Sequence, residues 1–177
     1  TVMYITRLSS PVGVLLLASD EIALTGLWME GQKYFAATLS KDAVEQPDLP
    51  VFRQTAQWLS AYLDGAPLPA MPPLAPQGSV FRQAVWNQLR KIPYGQVTTY
   101  GVLARTLREQ GISAAPQAVG GAVGHNPISI LIPCHRVVGA DGSLTGYAGG
   151  VDKKRFLLEL EEADMSGLSI PHRATAR

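Results

Sequence analysis

The sequence contains one cysteine, Cys134, and only three histidines among its 177 residues. A single cysteine forms no intrachain disulfide and builds no cysteine-rich zinc site, so the composition favours a reducing compartment and no metal site. No run of about 18 apolar residues occurs in the sequence, which argues against a transmembrane helix. The N-terminal segment TVMYITRLSS also lacks the apolar core of a signal peptide. We therefore expect a cytoplasmic protein without a membrane partner.

Charged residues are scarce as well, at 16% of the chain, and the formal net charge is only +1. This small total hides an asymmetry, because residues 1–78 carry a net charge of −3 and residues 79–177 carry +4. A positive second half suits a nucleic acid or another anion, although solvated surfaces produce differences of this size too. Charge alone therefore leaves the partner open.

The first part of the chain has the pattern of a small sheet followed by a helix. Three short segments rich in β-branched and aromatic residues are separated by turn signals, which predicts an antiparallel meander. These segments are 3–10, 12–19 and 22–29. Residues 51–65 then show apolar side chains at helical spacing.

Five prolines fall within residues 66–78, a density that excludes regular secondary structure. We interpret this stretch as an extended, stiff connector. The sequence therefore predicts an N-terminal α+β domain with an antiparallel sheet over residues 1–72 and a proline-rich linker at residues 73–78.

Helical spacing resumes after Ser79, which is a typical N-cap residue. A second helix begins after Thr98 or Thr99, and a third, QAVGGAVG, ends before an Asn-Pro pair. Two helices joined by a glycine-containing turn are typical of a helix-turn-helix. We therefore predict a mainly helical C-terminal domain over residues 79–177, and an α+β fold for the whole chain.

Two further elements are predicted around the cysteine. The apolar run ISILI at residues 128–132 predicts a buried strand. A last helix is expected to begin with Asp152 as its N-cap and to turn Phe156, Leu157 and Leu160 inward.

The segment ILIPCHRVVGADG places an imidazole and a guanidinium directly after Cys134. A free cysteine is often no more than a buried core residue. A nucleophilic cysteine instead needs a nearby cation or base that favours its thiolate, and a histidine base needs a third group to orient it. The clustered carboxylates downstream are Glu159, Glu161 and Glu162. Residue chemistry alone leaves both interpretations open.

The motif IPCHRVVG, preceded by AVGGAVGHNPISI and followed by GYAGG and KKRFLLELE, resembles the O6-alkylguanine-DNA alkyltransferase family. FRQAVWNQLRKIPYGQVTTYGVLA is similar to the same family's first C-terminal helices, so the resemblance covers residues 79–162. It implies an N-terminal RNase H-like domain and binding of double-stranded DNA through the helix-turn-helix. It also implies single-turnover repair, in which a flipped O6-alkylguanine gives its alkyl group irreversibly to Cys134. O4-alkylthymine is a second candidate substrate, and no metal or organic cofactor is implied.

The resemblance assigns catalytic roles to four residues. Cys134 attacks the alkyl carbon, His135 accepts the thiol proton through a water, and Glu161 orients the imidazole. Glu161 is selected because FLLELE matches the family's aromatic-Leu-Leu-x-x-Glu pattern. Asn126 is expected to tie the second helix of the helix-turn-helix to the cysteine segment.

Four more residues are expected to contact the substrate base. Tyr100 matches a tyrosine that donates to the base ring, and the Val137 carbonyl accepts from the guanine amino group. Tyr147 forms a wall of the pocket, and the backbone N–H of Ala148 reaches O6. Many relatives have serine in place of Ala148, so this chain lacks one hydroxyl donor.

The DNA contacts are expected at Ala115, Gln117, Ala118, Gly120 and Gly121, where small residues let the helix backbone approach the minor groove. One departure stands out, because the family usually has arginine in place of Gln117. That arginine fills the space left by the flipped base, and base flipping requires a few kcal/mol. We therefore expect flipping to be supported less well in this chain.

Two alternative functions are kept beside alkyl transfer. A DNA-binding sensor without efficient transfer would use the same helix-turn-helix, but related sensors lack the cysteine that this chain has. A cysteine hydrolase would form an acyl-enzyme at Cys134 and turn over, which needs a histidine distant in sequence. For alkyl transfer we expect a monomer.

Overall fold

Three strands near the start of the chain form the predicted antiparallel meander. In the computed structural model, which describes residues 2–171, β1 is Tyr4–Ser10, β2 is Gly13–Ser19 and β3 is Leu24–Met29. A short strand β4, Val44–Glu45, adds parallel to β1, so the strand order is β3-β2-β1-β4. The sequence did not predict this parallel edge strand, since two residues carry no periodic signal.

The helix predicted after the sheet is α1, Pro50–Leu63, which begins with a proline in its first turn. Proline suits that position because its fixed φ is helical and its missing N–H would have no helical partner there. The buried face of α1 contacts β2 and β3. It consists of Val51, Phe52, Thr55, Trp58, Leu59 and Tyr62.

The proline-rich stretch after α1 is partly hydrogen-bonded to the sheet. The N–H of Leu24 donates to the Pro73 carbonyl, and the N–H of Ala75 donates to the Leu24 carbonyl, both at 2.8 Å. These two bonds make an isolated parallel bridge between Leu24 and Leu74.

The described chain divides into two compact units, and each unit consists of two separate segments of the chain. The first unit runs to Gln77 and also includes Pro127–Leu131; the second contains Gly78–Asn126 and the chain from Ile132 onward. The end of the predicted C-terminal domain, residues 172–177, lies outside the described residues, as does Thr1.

The strand predicted at residues 128–132 is wrong. These residues form turns with one isolated bridge, between Ile128 and Leu27, although all of them are buried. Ile130 has a φ of +71°, and the N–H of Leu131 donates to the Ser129 carbonyl across it at 2.9 Å. A β-branched residue rarely adopts this left-handed conformation, so the apolar sequence gave no sign of the turn.

The second unit contains the remaining helices. Ser79 caps α2, Val80–Leu89, by accepting from Arg82 N at 3.2 Å, as predicted. Thr99 caps α3, Tyr100–Glu109, by accepting from Val102 N at 3.1 Å. The other two helices are α4, Pro116–Gly124, and α5, Val151–Leu160. A two-stranded parallel sheet joins β5, Thr98–Thr99, to β6, Val137–Val138.

Helices α3 and α4 pack against each other as the predicted helix-turn-helix. Gly111 takes a φ of +80° in the turn between them, and the Arg108 guanidinium donates to the Ala114 carbonyl at 3.0 Å. The indole N–H of Trp86 donates to the Ala122 carbonyl at 2.8 Å, which fixes α2 against α4. The helix-turn-helix is therefore held by hydrogen bonds as well as by apolar contacts.

The last helix differs from its prediction at its start and on its buried face. Gly150 occupies the N-cap position, and Asp152 lies inside the first turn. Phe156 is 39% exposed, whereas Lys154, Leu157 and Leu158 are buried. The buried stripe is therefore centred one residue away from the predicted one, and it contains a lysine.

Residues 2–171 contain neither a membrane-spanning helix nor a cluster of metal-ligating side chains. No helix in this range is long and apolar enough to cross a membrane. The same residues contain no group of three or more His, Cys, Asp or Glu side chains placed to hold a metal ion.

Candidate active site

Two local interactions position Cys134. The N–H of Cys134 donates to the Ile132 carbonyl at 2.8 Å across Pro133, whose φ of −81° and ψ of 66° close a three-residue turn. Cys134–Arg136 then form one turn of 3-10 helix. The Asn126 amide donates to the same Ile132 carbonyl at 2.8 Å and also hydrogen-bonds the Cys134 side chain. Asn126 thus joins the end of α4 to the cysteine segment, which is where the sequence analysis placed it.

The Cys134 side chain is more enclosed than expected for a nucleophile, with 5% of the residue exposed. Burial raises the pKa of its thiol, whereas the Asn126 hydrogen bond and the positive charge of Lys154 lower it. The resting protein therefore favours the neutral thiol, and two groups beside the sulfur favour the thiolate.

His135 and Glu161 form a buried pair. His135 Nε2 donates to Glu161 Oε2 at 2.6 Å, and both side chains are fully buried. Burial lowers the pKa of His135, and the hydrogen bond and charge of Glu161 oppose that shift without reversing it. A neutral imidazole held in one orientation is the state that a general base requires.

Arg136 is a third member of this buried cluster, and from the sequence its guanidinium was considered only as a cation near Cys134. Its Nε donates to Glu161 Oε1 at 2.8 Å and its Nη2 to Oε2 at 2.9 Å, while Nη1 donates to the Ile92 carbonyl at 2.7 Å. The N–H of Gly95 adds a further bond to Glu161 Oε1 at 3.0 Å. Arg136 therefore balances the charge of the Glu161 carboxylate, and its positive charge also lowers the pKa of His135, which favours the neutral imidazole.

The three downstream carboxylates have different surroundings. Glu161 follows α5 as its C-cap and is 2% exposed. Glu159 is half exposed and pairs with Arg155 at 2.7 Å across one helical turn, and Glu162 is exposed. Only one of the three thus faces the site, and it is the one that the family pattern selected.

A cavity of about 190 Å³ opens between the starts of α3 and α4 and the glycine-rich loop 139–150. Its lining consists of Tyr100, Pro116, Gln117, Gly120, Gly139, Thr145 and Gly146. Cys134 is not among the residues that line this cavity.

Of the residues predicted to contact the base, Tyr100 lines this cavity, and Tyr147 and Ala148 follow its lining residue Gly146 in the glycine-rich loop. The Tyr100 hydroxyl donates to the Thr145 carbonyl at 3.1 Å, and a Cβ added at Gly146 would collide with that hydroxyl. Tyr147 is buried with its ring edge-to-face with His135, at a centroid distance of 6.5 Å. Ala148 is half-buried in the same loop.

The Val137 carbonyl, predicted to accept from the guanine amino group, already accepts from the ammonium of Lys154. Lys154 also donates to the Thr145 carbonyl at 2.9 Å and is fully buried. A carbonyl oxygen has two lone pairs, so Val137 can accept from Lys154 and from a base together. Lys154 was not selected from the sequence, because it lies in a Lys-Lys-Arg run that is typical of a solvent-facing helix.

The predicted DNA-contacting residues fall into two groups. Ala115, Gln117 and Ala118 are exposed at the start of α4. Gly120 is buried, and a Cβ added there would lie in ordinary van der Waals contact with the Tyr100 ring, at 3.8 Å. Gly121 is half-buried and faces open space. Gly120 and Gln117 therefore line the cavity, whereas Ala115, Ala118 and Gly121 do not belong to its lining.

Comparison with known proteins agrees with this architecture. Two family models match: the ribonuclease-like domain of 6-O-methylguanine DNA methyltransferase at residues 3–76 and the DNA binding domain of the same family at residues 80–163.

Individual relatives match over nearly the whole chain. A Haemophilus influenzae protein named methylated-DNA–protein-cysteine methyltransferase is 44% identical over 163 residues, which cover 92% of this chain and 88% of the relative. A Methanosarcina acetivorans protein of the same name is 44% identical, covering 90% of this chain and 98% of the relative. A crystal structure of Mycobacterium tuberculosis OGT in complex with DNA matches with a TM-score of 0.79 and 40% identity, covering 92% of this chain and 93% of that one. The chain therefore belongs to the 6-O-methylguanine DNA methyltransferase family.

Proposed function

We propose that the protein repairs DNA by transferring the alkyl group of O6-alkylguanine to Cys134. A bond forms between Cys134 Sγ and the alkyl carbon while the bond from that carbon to O6 breaks, and the electron pair of the broken bond stays on the guanine. The thiol proton passes through a water to His135 and then neutralises the departing base. The thioether has no route back to a thiol, so each molecule acts once and needs no cofactor.

The observation that carries this proposal is the buried Cys134–His135–Glu161 arrangement around the chain's single thiol. When Nε2 of His135 donates to Glu161, Nδ1 is the ring nitrogen that can accept a proton. The lowered pKa of His135 supports a neutral ring at physiological pH. The neighbouring Arg136 balances the charge of Glu161, so the relay contains one mobile proton rather than a fixed imidazolium.

The base is expected to enter through the cavity beside Tyr100 and Gly146. Tyr100 and the Ala148 N–H would then donate to the guanine, the Val137 carbonyl would accept from its amino group, and Tyr147 would form a wall.

DNA is the macromolecular partner in this proposal, and the helix-turn-helix of α3 and α4 is the element that binds it. Ala115, Gln117, Ala118 and Gly121 present small or neutral side chains, which suits close approach to a minor groove with little sequence preference. We expect a monomer located in the cytoplasm, with an affinity for duplex DNA that falls as salt rises, because phosphate contacts release counterions.

Intact-mass measurement tests the proposal. The purified protein is incubated with a duplex carrying O6-methylguanine, with an unmodified duplex, and with one carrying O4-methylthymine. We expect a gain of one methyl group per protein molecule with the first duplex, localised to Cys134 by fragmentation and absent from Cys134→Ser. Binding without any mass gain would support a sensor instead, and more than one lesion repaired per molecule would support a hydrolytic enzyme.

A further inference from the structure

Lys154 is a buried cation that the proposed mechanism does not use. Its side chain is fully buried on α5, one turn before the core residues Leu157 and Leu158. A buried ammonium is unfavourable unless it is well hydrogen-bonded or paired with an anion. Within residues 2–171 no carboxylate forms an ion pair with it, since its hydrogen bonds go to the neutral carbonyls of Val137 and Thr145. Its retention in the core therefore needs another explanation.

The contacts of Lys154 lie on two sides of the substrate region. The Val137 carbonyl belongs to β6, directly after the cysteine turn, and the Thr145 carbonyl belongs to the loop that lines the cavity. Thr145 also accepts from the Tyr100 hydroxyl at 3.1 Å. One ammonium thus joins the Val137 carbonyl, three residues after Cys134, to the carbonyl of Thr145, which lines the cavity.

The other polar groups near Cys134 are either neutral or paired with an opposite charge, and Lys154 differs from them. From the 3-10 helix, Arg136 is satisfied by Glu161, which follows α5, and His135 is neutral because burial lowers its pKa. From α3 and the glycine-rich loop, Tyr100 and Tyr147 contribute neutral phenols, and Asn126 contributes a neutral amide. Within residues 2–171, the positive charge of Lys154 lowers the pKa of Cys134, and the charge of Cys134 raises the pKa of Lys154.

We propose that Lys154 is a positioning residue for alkyl transfer, whose ammonium serves as the counter-charge of the Cys134 thiolate while it holds the Val137 and Thr145 carbonyls beside the substrate. This inference rests on the proposed function, because a counter-charge matters only if the sulfur reacts as a thiolate. In this proposal, proton transfer and stabilisation of the thiolate are carried out by different residues. His135 and Glu161 move the proton, and Lys154 stabilises the anion that remains.

Titration of the thiolate tests the proposal without DNA. Because the chain has one cysteine, ultraviolet thiolate absorbance reports on Cys134 alone, with Cys134→Ser as the blank. We compare the wild type with Lys154→Met, which removes the charge at similar length, and with Lys153→Met as the matched control on the neighbouring position. A positive charge near a thiol favours the thiolate, so the thiolate midpoint of Lys154→Met should lie at higher pH than that of the wild type. Lys153→Met should titrate like the wild type, and equal midpoints for both lysine variants would overturn the proposal.

A reciprocal measurement covers the case in which Lys154→Met fails to fold. Coupling between two titrating groups acts equally in both directions. In protein labelled with 13C at the lysine ε-carbon, the midpoint of Lys154, whose pKa burial lowers to about 8, should fall further in Cys134→Ser. An unchanged Lys154 midpoint would contradict the counter-charge role. Neither titration uses alkylated DNA, so their outcome is independent of the mass measurement that tests the function itself.

Discussion

Replacing Glu161 by glutamine should strongly destabilise the protein, because it removes the anion from a fully buried cluster. The Glu161 carboxylate accepts two bonds from Arg136, one from His135 and one from the Gly95 N–H, at distances between 2.6 and 3.0 Å. A glutamine keeps the shape but leaves the Arg136 guanidinium, 8% exposed, without its counter-charge. Removing one partner of a buried ion pair typically costs about 3–5 kcal/mol.

The matched control for this change lies two residues away. Glu159 forms an ion pair of similar length, 2.7 Å, with Arg155, but both side chains are 51% exposed. Exposed pairs across one helical turn contribute only about 0.3–0.5 kcal/mol. Glu159→Gln should therefore leave the free energy of unfolding almost unchanged.

Urea denaturation and thermal melting measure both variants. For a chain of this size, 1 kcal/mol shifts Tm by about 2–4 °C, so Glu161→Gln should melt roughly 10 °C below the wild type. A second substitution, Arg136→Met, should recover part of the loss, since it removes the uncompensated charge. Equal stabilities of Glu159→Gln and Glu161→Gln would refute the claim that the buried cluster is held by its central carboxylate.

Three further outcomes are expected. Gln117→Arg should raise the repair rate on duplex DNA more than the rate on free O6-methylguanine, because the longer cation supports the flipped state; equal gains in single-turnover assays would contradict this. Gly146→Ala should lower Tm and slow transfer, since Gly146 has a φ of +84° and a Cβ there meets the Tyr100 hydroxyl, whereas Gly121→Ala, with open space, should not lower Tm. The transfer rate should rise with pH from 6 to 8, because the pKa of Cys134 is raised, and should show no inflection at the ordinary histidine value of 6.5, because the pKa of His135 is lowered; a rate that is flat above an inflection at 6.5 would rule out this assignment.

Features with a local cause were predictable from sequence. Ser79 and Thr99 cap their helices because a hydroxyl before an apolar periodic segment meets a free backbone N–H. The meander followed from three short β-rich segments, and Asn126 and Glu161 were found through the family's motif.

Features set by tertiary packing were not predictable. Ile130 takes a left-handed φ that its side chain disfavours, because the surrounding turns impose it. Lys154 lies in a Lys-Lys-Arg run that is typical of a solvent-facing helix, and only its carbonyl partners on β6 and the loop 139–150 account for its burial. Arg136 shows the same limit, since its partner Glu161 is 25 residues away in sequence.

Pro127–Leu131 belong to the first unit, which affects how the chain can be divided into fragments. The backbone of Leu27 bonds both neighbours of Ile128, donating to the Pro127 carbonyl at 2.8 Å and accepting from Ser129 N at 3.0 Å. A fragment that starts at residue 78 would keep the reactive cysteine but lose these partners, and it would expose an apolar stretch two residues upstream of Pro133. The backbone partners of residues 127 and 129 thus lie on β3, about one hundred residues earlier in the chain.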